Sequence, residues 1–92
     1  MAAFRKFVGT KSFWREYENL SEENKKAADA LFPRFKKDPF AKGLGTHKLA
    51  RLSVLYKEPV WSVPILGNLR ALFVIRGDSV LSISIGDHSI YK

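Results

Sequence analysis

Apolar and polar positions change their period once along this chain, near residue 50, and the change divides it into a helical half and a sheet-forming half. At the start, Ala3 to Val8 reads as a short strand. Thr10 then stands where a helix N-cap is wanted, and Phe13, Tyr17 and Leu20 follow at i, i+4 and i+7 with Trp14 beside them, which predicts an amphipathic helix. Ser21 before Glu22 and Glu23 predicts a second start, because the hydroxyl caps a free N–H and the carboxylates suit the positive end of the helix dipole. Its apolar stripe is Ala27, Leu31 and Phe35, with Ala28 and Phe32 adjacent. Pro33 removes a donor and disfavours the α conformation at Phe32, so this helix is expected to end or kink there.

Beyond residue 50 the period is two. Leu52, Val54 and Tyr56 alternate with Arg51 and Ser53. Trp61, Val63 and Ile65 alternate with Val60, Ser62 and Pro64. Leu69, Ala71, Phe73 and Ile75 alternate with Arg70, Leu72, Val74 and Arg76. Leu81, Ile83 and Ile85 opposite Val80, Ser82 and Ser84 give the clearest strand, joined to its predecessor through Gly77-Asp78, a pair suited to a two-residue primed turn. Pro64 cannot donate to a ladder, so its strand is at an edge, bulged or broken there.

The expected fold is α+β: an N-terminal two-helix hairpin packed on one face of a mainly antiparallel twisted sheet of about four strands. Leu69, Ala71, Phe73 and Ile75 would face the helices and Arg70 would face away. Counting outward from Gly77-Asp78 sets Arg76 against Ser79 and Arg70 against Ile85. His88, three residues further on, would then stand near Arg70.

Composition narrows the function. The 92 residues make one domain, burying about two-thirds of the unfolded surface. Cysteine is absent, which removes disulfides and thiolate metal sites and fits a reducing cytoplasm. The N-terminus is interrupted by charge at Arg5 and Lys6 too early for an apolar signal core, and no window approaches a membrane span, so no membrane partner is expected. The net charge is +7, with nine cations against six anions up to residue 40 and seven against three after it. A compact body with charge spread this way favours polyanions, nucleic acid or ribosome first among them.

The groups able to do chemistry are concentrated. Gly86-Asp87-His88-Ser89-Ile90-Tyr91-Lys92 puts an imidazole, a phenol and an ammonium directly after a strand, and Leu44-Gly45-Thr46-His47-Lys48-Leu49 holds the second histidine. Two histidines without cysteine or an ordered acidic set do not make a metal site. No metal and no small-molecule cofactor are expected.

Taken in order, Asp38-Pro39-Phe40, Leu44-Gly45-Thr46-His47-Lys48-Leu49, Trp61-Ser62-Val63, Leu69-Arg70-Ala71-Leu72-Phe73 and Ile85-Gly86-Asp87-His88-Ser89-Ile90-Tyr91 resemble the RelE/ParE superfamily of bacterial and archaeal toxins. The likeness is greatest to the RelE-like branch, with its Leu-x-x-His-x-Leu element and terminal Ile-Gly-x-His-x-x-Tyr. It implies the toxin of a type II toxin–antitoxin system, a microbial-ribonuclease-like domain that enters the ribosomal A site and cleaves messenger RNA without metal. In that chemistry a ribose 2′-hydroxyl attacks the adjacent phosphate, which needs a base, cations for the developing charge and an acid for the departing 5′ oxygen. The resemblance also implies a cognate antitoxin whose partly disordered, acidic segment wraps the basic surface.

His88 is the leading proton-transfer residue, with backbone hydrogen bonding at the strand end as its structural alternative. Arg70 suits a bidentate phosphate grip, or a salt bridge to Asp87. Tyr91 would stack on a base or hold the nucleophile, or else cover the core edge. His47 is either the other wall of the cleft, with Lys48 and Arg51, or a brace for the loop before the sheet. Lys92 and Lys37 complete the candidate RNA contacts, although Lys25-Lys26 and Lys36-Lys37 also read as solvated helix faces. Two departures stand out. Relatives carry lysine or arginine on the strand before Arg70, where Trp61-Ser62-Val63-Pro64-Ile65 has no charge, and often carry arginine where His88 stands. Two other functions fit the same residues: a non-catalytic gyrase inhibitor of the ParE kind, or a basic ribosome- or RNA-binding domain without activity.

Overall fold

In the computed structural model, which describes residues 4–87, the chain runs β1 (Lys6–Gly9), α1 (Lys11–Glu18), α2 (Glu22–Lys37), a 3-10 turn (Lys42–Leu44), β2 (His47–Lys48), α3 (Ala50–Tyr56), β3 (Trp61–Leu66), β4 (Leu69–Arg76) and β5 (Ser79–Gly86). The strands form one sheet in the order β1-β5-β4-β3-β2. β1 pairs parallel with β5, and every other pairing is antiparallel. Among the described residues no helix is long and apolar enough to cross a membrane.

Both helix starts form as their sequences dictate. The Thr10 hydroxyl accepts the Phe13 N–H at 3.0 Å, and the Ser21 hydroxyl accepts the Asn24 N–H at 3.1 Å. Each cap satisfies a donor that has no partner within its helix, worth about 1 kcal/mol. The α2 helix then lays Phe35 on the sheet, where its ring meets Phe73 edge to face at 5.0 Å. Phe35, Leu44, Val63, Phe73 and Val80 form this core. Burying a phenylalanine contributes about 2–3 kcal/mol, so Phe35 and Phe73 anchor the layer.

The opposite face is also packed. Leu52 of α3 and Val60 lie with Leu72 and Val74 of β4, joined by Leu49, Leu81 and Ile83. That is why β4 is apolar almost throughout: Ala71, Phe73 and Ile75 meet the α2 side while Leu72 and Val74 meet the α3 side.

The structure corrects four details of the sequence reading. The segment expected as a strand around Leu52, Val54 and Tyr56 is the helix α3. Only Leu52 is buried there; Val54, Leu55 and Tyr56 are 77%, 64% and 51% exposed, so the apparent alternation does not mark a buried face. Three alternating residues cannot separate the two periods. Lys57, at φ 59°, stops the helix, and the Ser53 hydroxyl accepts the Val60 N–H at 2.8 Å to turn the chain into β3. Pro33 does not end α2, which continues to Lys37. The carbonyl deprived of its donor belongs to Asp29, an exposed residue.

Among the described residues the first strand is Lys6–Gly9, against the Ala3 to Val8 expected, of which Ala3 lies outside the described residues, and the two-residue β2 brings the sheet to five strands against about four. Finally, the β4–β5 register starts as counted, Arg76 against Ser79, but a bulge follows. Phe73 opposes Ser82 and Leu72 opposes Ser84, so Ile83 is extra and Arg70 faces Gly86 instead of Ile85. Pro64 conforms to its expected limits: β2 pairs only with Trp61 and Ser62, and the β3–β4 register shifts between Pro64 and Leu66.

Candidate functional site

Directly opposed residues in an antiparallel ladder carry their side chains on the same face, and alternate residues share a face. The pairings therefore set out two neighbouring rows on the side of the sheet turned away from α1 and α2. One row is His47, Ser62, Leu72 and Ser84; the next is Pro64, Arg70 and Gly86. Arg70 thus faces away from the helical hairpin, as its alternation with Leu69, Ala71 and Phe73 predicts. With strands ~4.8 Å apart and residues ~3.3 Å apart along a strand, His47 and Arg70 have Cα positions ~12 Å apart.

The loop that delivers His47 is braced at each step. Gly45 adopts φ 79°, and a Cβ there would come within 3.2 Å of Cγ of Pro64. The Thr46 hydroxyl donates to the Pro39 carbonyl at 2.6 Å. Nδ1 of His47 lies 3.1 Å from the Gly45 carbonyl oxygen. A carbonyl only accepts, so Nδ1 carries the hydrogen and Nε2 of the neutral ring keeps its lone pair. His47 is exposed, so this brace leaves the second nitrogen open to a ligand.

The two arginines on the outward side of β4 are held differently. Arg76 grips Glu58 with two nitrogens, at 3.4 and 2.8 Å, and these bonds hold the Glu58 carboxyl below the usual carboxylate range. Arg76 therefore fastens the loop after α3 to the end of β4. Arg70 is half-buried, and its Nε donates to the Asn68 carbonyl at 3.3 Å.

The remaining sequence candidates divide. Arg51 is exposed on the first turn of α3. Lys48 opposes Trp61 and so starts on the α2 side of the sheet, the face opposite His47. Lys37 is exposed at the end of α2, which packs on that same α2 side. His88, Tyr91 and Lys92 lie outside the described residues. The last described residue beside Arg70 is its partner Gly86, followed by Asp87.

Sequence reasoning missed Glu16. From α1 its carboxylate accepts the Ser84 hydroxyl at 2.8 Å and the Ile85 N–H at 3.1 Å. A glutamate on the polar side of an amphipathic helix gives no sign of this. It also missed a groove of about 390 Å³ between the helical hairpin and the sheet, lined by Phe7, Trp14, Tyr17, Phe32, Val63 and Ile85 among others. Trp14 and Phe32 are exposed at its rim, and Lys36 sits 5.5 Å from the Phe32 ring centre. Inside the rim the Tyr17 hydroxyl donates to Asp29 at 2.6 Å; that bond, burial and the Asp29 charge push the phenol up to about 12.

No family model and no curated protein matches the sequence. Solved structures do match in fold. The RelB–RelE antitoxin–toxin complex from Methanococcus jannaschii aligns with a TM-score of 0.71 at 14% identity, over 91% of this chain and 94% of the other. An archaeal RelE–RelB complex from Pyrococcus horikoshii OT3 aligns at 0.69 and 9%, over 92% and 94%. A YoeB/ParE toxin from Agrobacterium tumefaciens aligns at 0.71 and 25%, over 91% and 99%.

Proposed function

The chain has the RelE-like toxin fold, and from that premise we propose that it is the toxin of a toxin–antitoxin pair, acting in the cytoplasm as a metal-independent endoribonuclease on ribosome-bound messenger RNA. The observation that carries the reading is that Arg70 and His47 share the face turned away from α1 and α2, one with a fixed positive charge and the other with an outward ring nitrogen.

In the reaction, the 2′ oxygen bonds to the neighbouring phosphorus as the bond to the 5′ oxygen breaks, leaving a cyclic phosphate and a free 5′ hydroxyl. Arg70 holds the phosphate and stabilises the negative charge that builds on its oxygens; it cannot lose its proton. Imidazoles move the two protons. His88 is the leading group for this task and His47 Nε2 the second, one accepting the 2′ proton and the other supplying one to the 5′ oxygen. Tyr91 stacks on a base. Arg51 and Lys92 add affinity by displacing counterions from the RNA, whereas Lys48 and Lys37 start on the α2 side of the sheet and do not face the bound phosphate.

The antitoxin is an acidic, partly disordered chain matched to the net charge of +7. Two of the structural neighbours are themselves toxin–antitoxin complexes. Apolar residues of such a partner suit the groove beside Trp14 and Phe32.

In vitro translation with mapped message ends, run with and without ribosomes, tests the activity. Cuts that require ribosomes and vanish in His88→Ala and Arg70→Ala are expected. Intact message with arrested DNA supercoiling would instead establish a gyrase inhibitor.

A further inference from the structure

We infer that Glu16 is a positioning residue: its carboxylate selects the bulged register of β5 and so decides which residue stands beside Arg70. β1 ends opposite β5 at Gly9 and Ser82. The Thr10 N–H continues the ladder by one bond, to the Ser82 carbonyl at 3.0 Å, so Ser82 turns its backbone groups toward the outer edge of β5. In a regular strand Ser84 would face that edge next and the Ile85 N–H would point inward to β4. Instead the Ile85 N–H points outward and donates to Glu16. The extra residue, Ile83, has reversed the phase. Glu16 can therefore accept the Ile85 N–H only when the bulge is present.

The consequence reaches the opposite face. With the bulge, Ile85 opposes Ala71 and is buried, and Gly86 opposes Arg70. Without it, Arg70 would oppose Ile85, and a shift of one residue turns each following side chain to the other face. An acid on α1, at the outer edge of β5, thereby sets the phase with which the chain leaves β5 next to the phosphate-binding arginine. Glu16 holds both new donors, the Ser84 hydroxyl and the Ile85 N–H, on a single oxygen. A glutamine at this position keeps that acceptor; an aspartate withdraws it by one methylene.

The inference rests on the proposed nuclease only for its effect on activity, and the register can be read without it. Amide exchange and cross-strand proton contacts measured by NMR in wild type, Glu16→Gln, Glu16→Asp and Glu16→Ala decide the structural claim. Wild type and E16Q should keep the Arg70–Gly86 contact, with the Ile85 amide protected about tenfold or more above its level in E16D and E16A. E16D keeps the charge and tests the claim even where E16A does not fold. An unchanged Arg70–Gly86 contact and an equally slow Ile85 amide in E16D would overturn it. On ribosomes, E16D should lower the cleavage rate by ~100-fold with message affinity retained, and E16Q should restore most of it. Absence of cleavage by wild type would refute the nuclease reading and leave the register to be decided by the spectra.

Discussion

His47 and Arg70 stand on one face of the sheet, two strands and two residues apart, with the fully buried Ser62 and Leu72 in the row of His47 and Pro64 in the row of Arg70. Ideal sheet spacings put their Cα positions ~12 Å apart. Nδ1 of the ring lies against the Gly45 carbonyl and Nε of the guanidinium donates to the Asn68 carbonyl, so a carbonyl two residues earlier in the chain braces each.

The His47 brace depends on Gly45. Gly45→Ala forces a Cβ into the left-handed region and to within 3.2 Å of Pro64. Thermal unfolding should show a loss of about 1–2 kcal/mol, and the His47 ring resonances should move while those of Trp14, on the other side of the sheet, do not.

Tyr17 gives a stability change at alkaline pH. Its folded value of about 12 lies above the ordinary 10.0, so the folded state holds the proton more tightly. The stabilisation is complete below pH 10.0 and is lost as pH rises from there through about 12. The melting temperature of wild type should fall across that window, and Tyr17→Phe, which has no proton to lose there, should fall less.

Glu58 gives the opposite case. Its bond to Arg76 holds the carboxyl below the ordinary 4.5, so its contribution is present above that pH and lost as pH falls through the lowered value. In acid titrations followed by circular dichroism, Glu58→Gln should be less stable than wild type at neutral pH, and the difference should close at low pH.

Much of this was legible because local chemistry and tertiary structure agree. Thr10 and Ser21 cap helices wherever their backbones are free to bond, and Gly77-Asp78 fixes a hairpin on its own. Arg70 could be assigned a face because its strand alternates without a break. The α3 helix was hidden because its core contribution is a single buried residue, Leu52, and its apolar exposed residues imitate a strand. The bulge was hidden because Leu81 to Ile85 alternate perfectly in sequence; what breaks the alternation is Ile85, drawn to the α2 side, and its bond to a glutamate 69 positions earlier. Pro33 does not end α2: the carbonyl it leaves without a donor belongs to Asp29, an exposed residue, and no local pattern reveals that exposure.

The central claim, one phosphate-binding face shared by His47 and Arg70, is tested most directly by adding a short RNA with its 2′-hydroxyls methylated, which cannot be cleaved, and following side-chain resonances. The His47 ring and Arg70 Nε signals should shift together and saturate at one RNA concentration, with Trp14 unmoved. Saturating shifts at Trp14 and Phe32 while His47 and Arg70 stay silent would contradict the account.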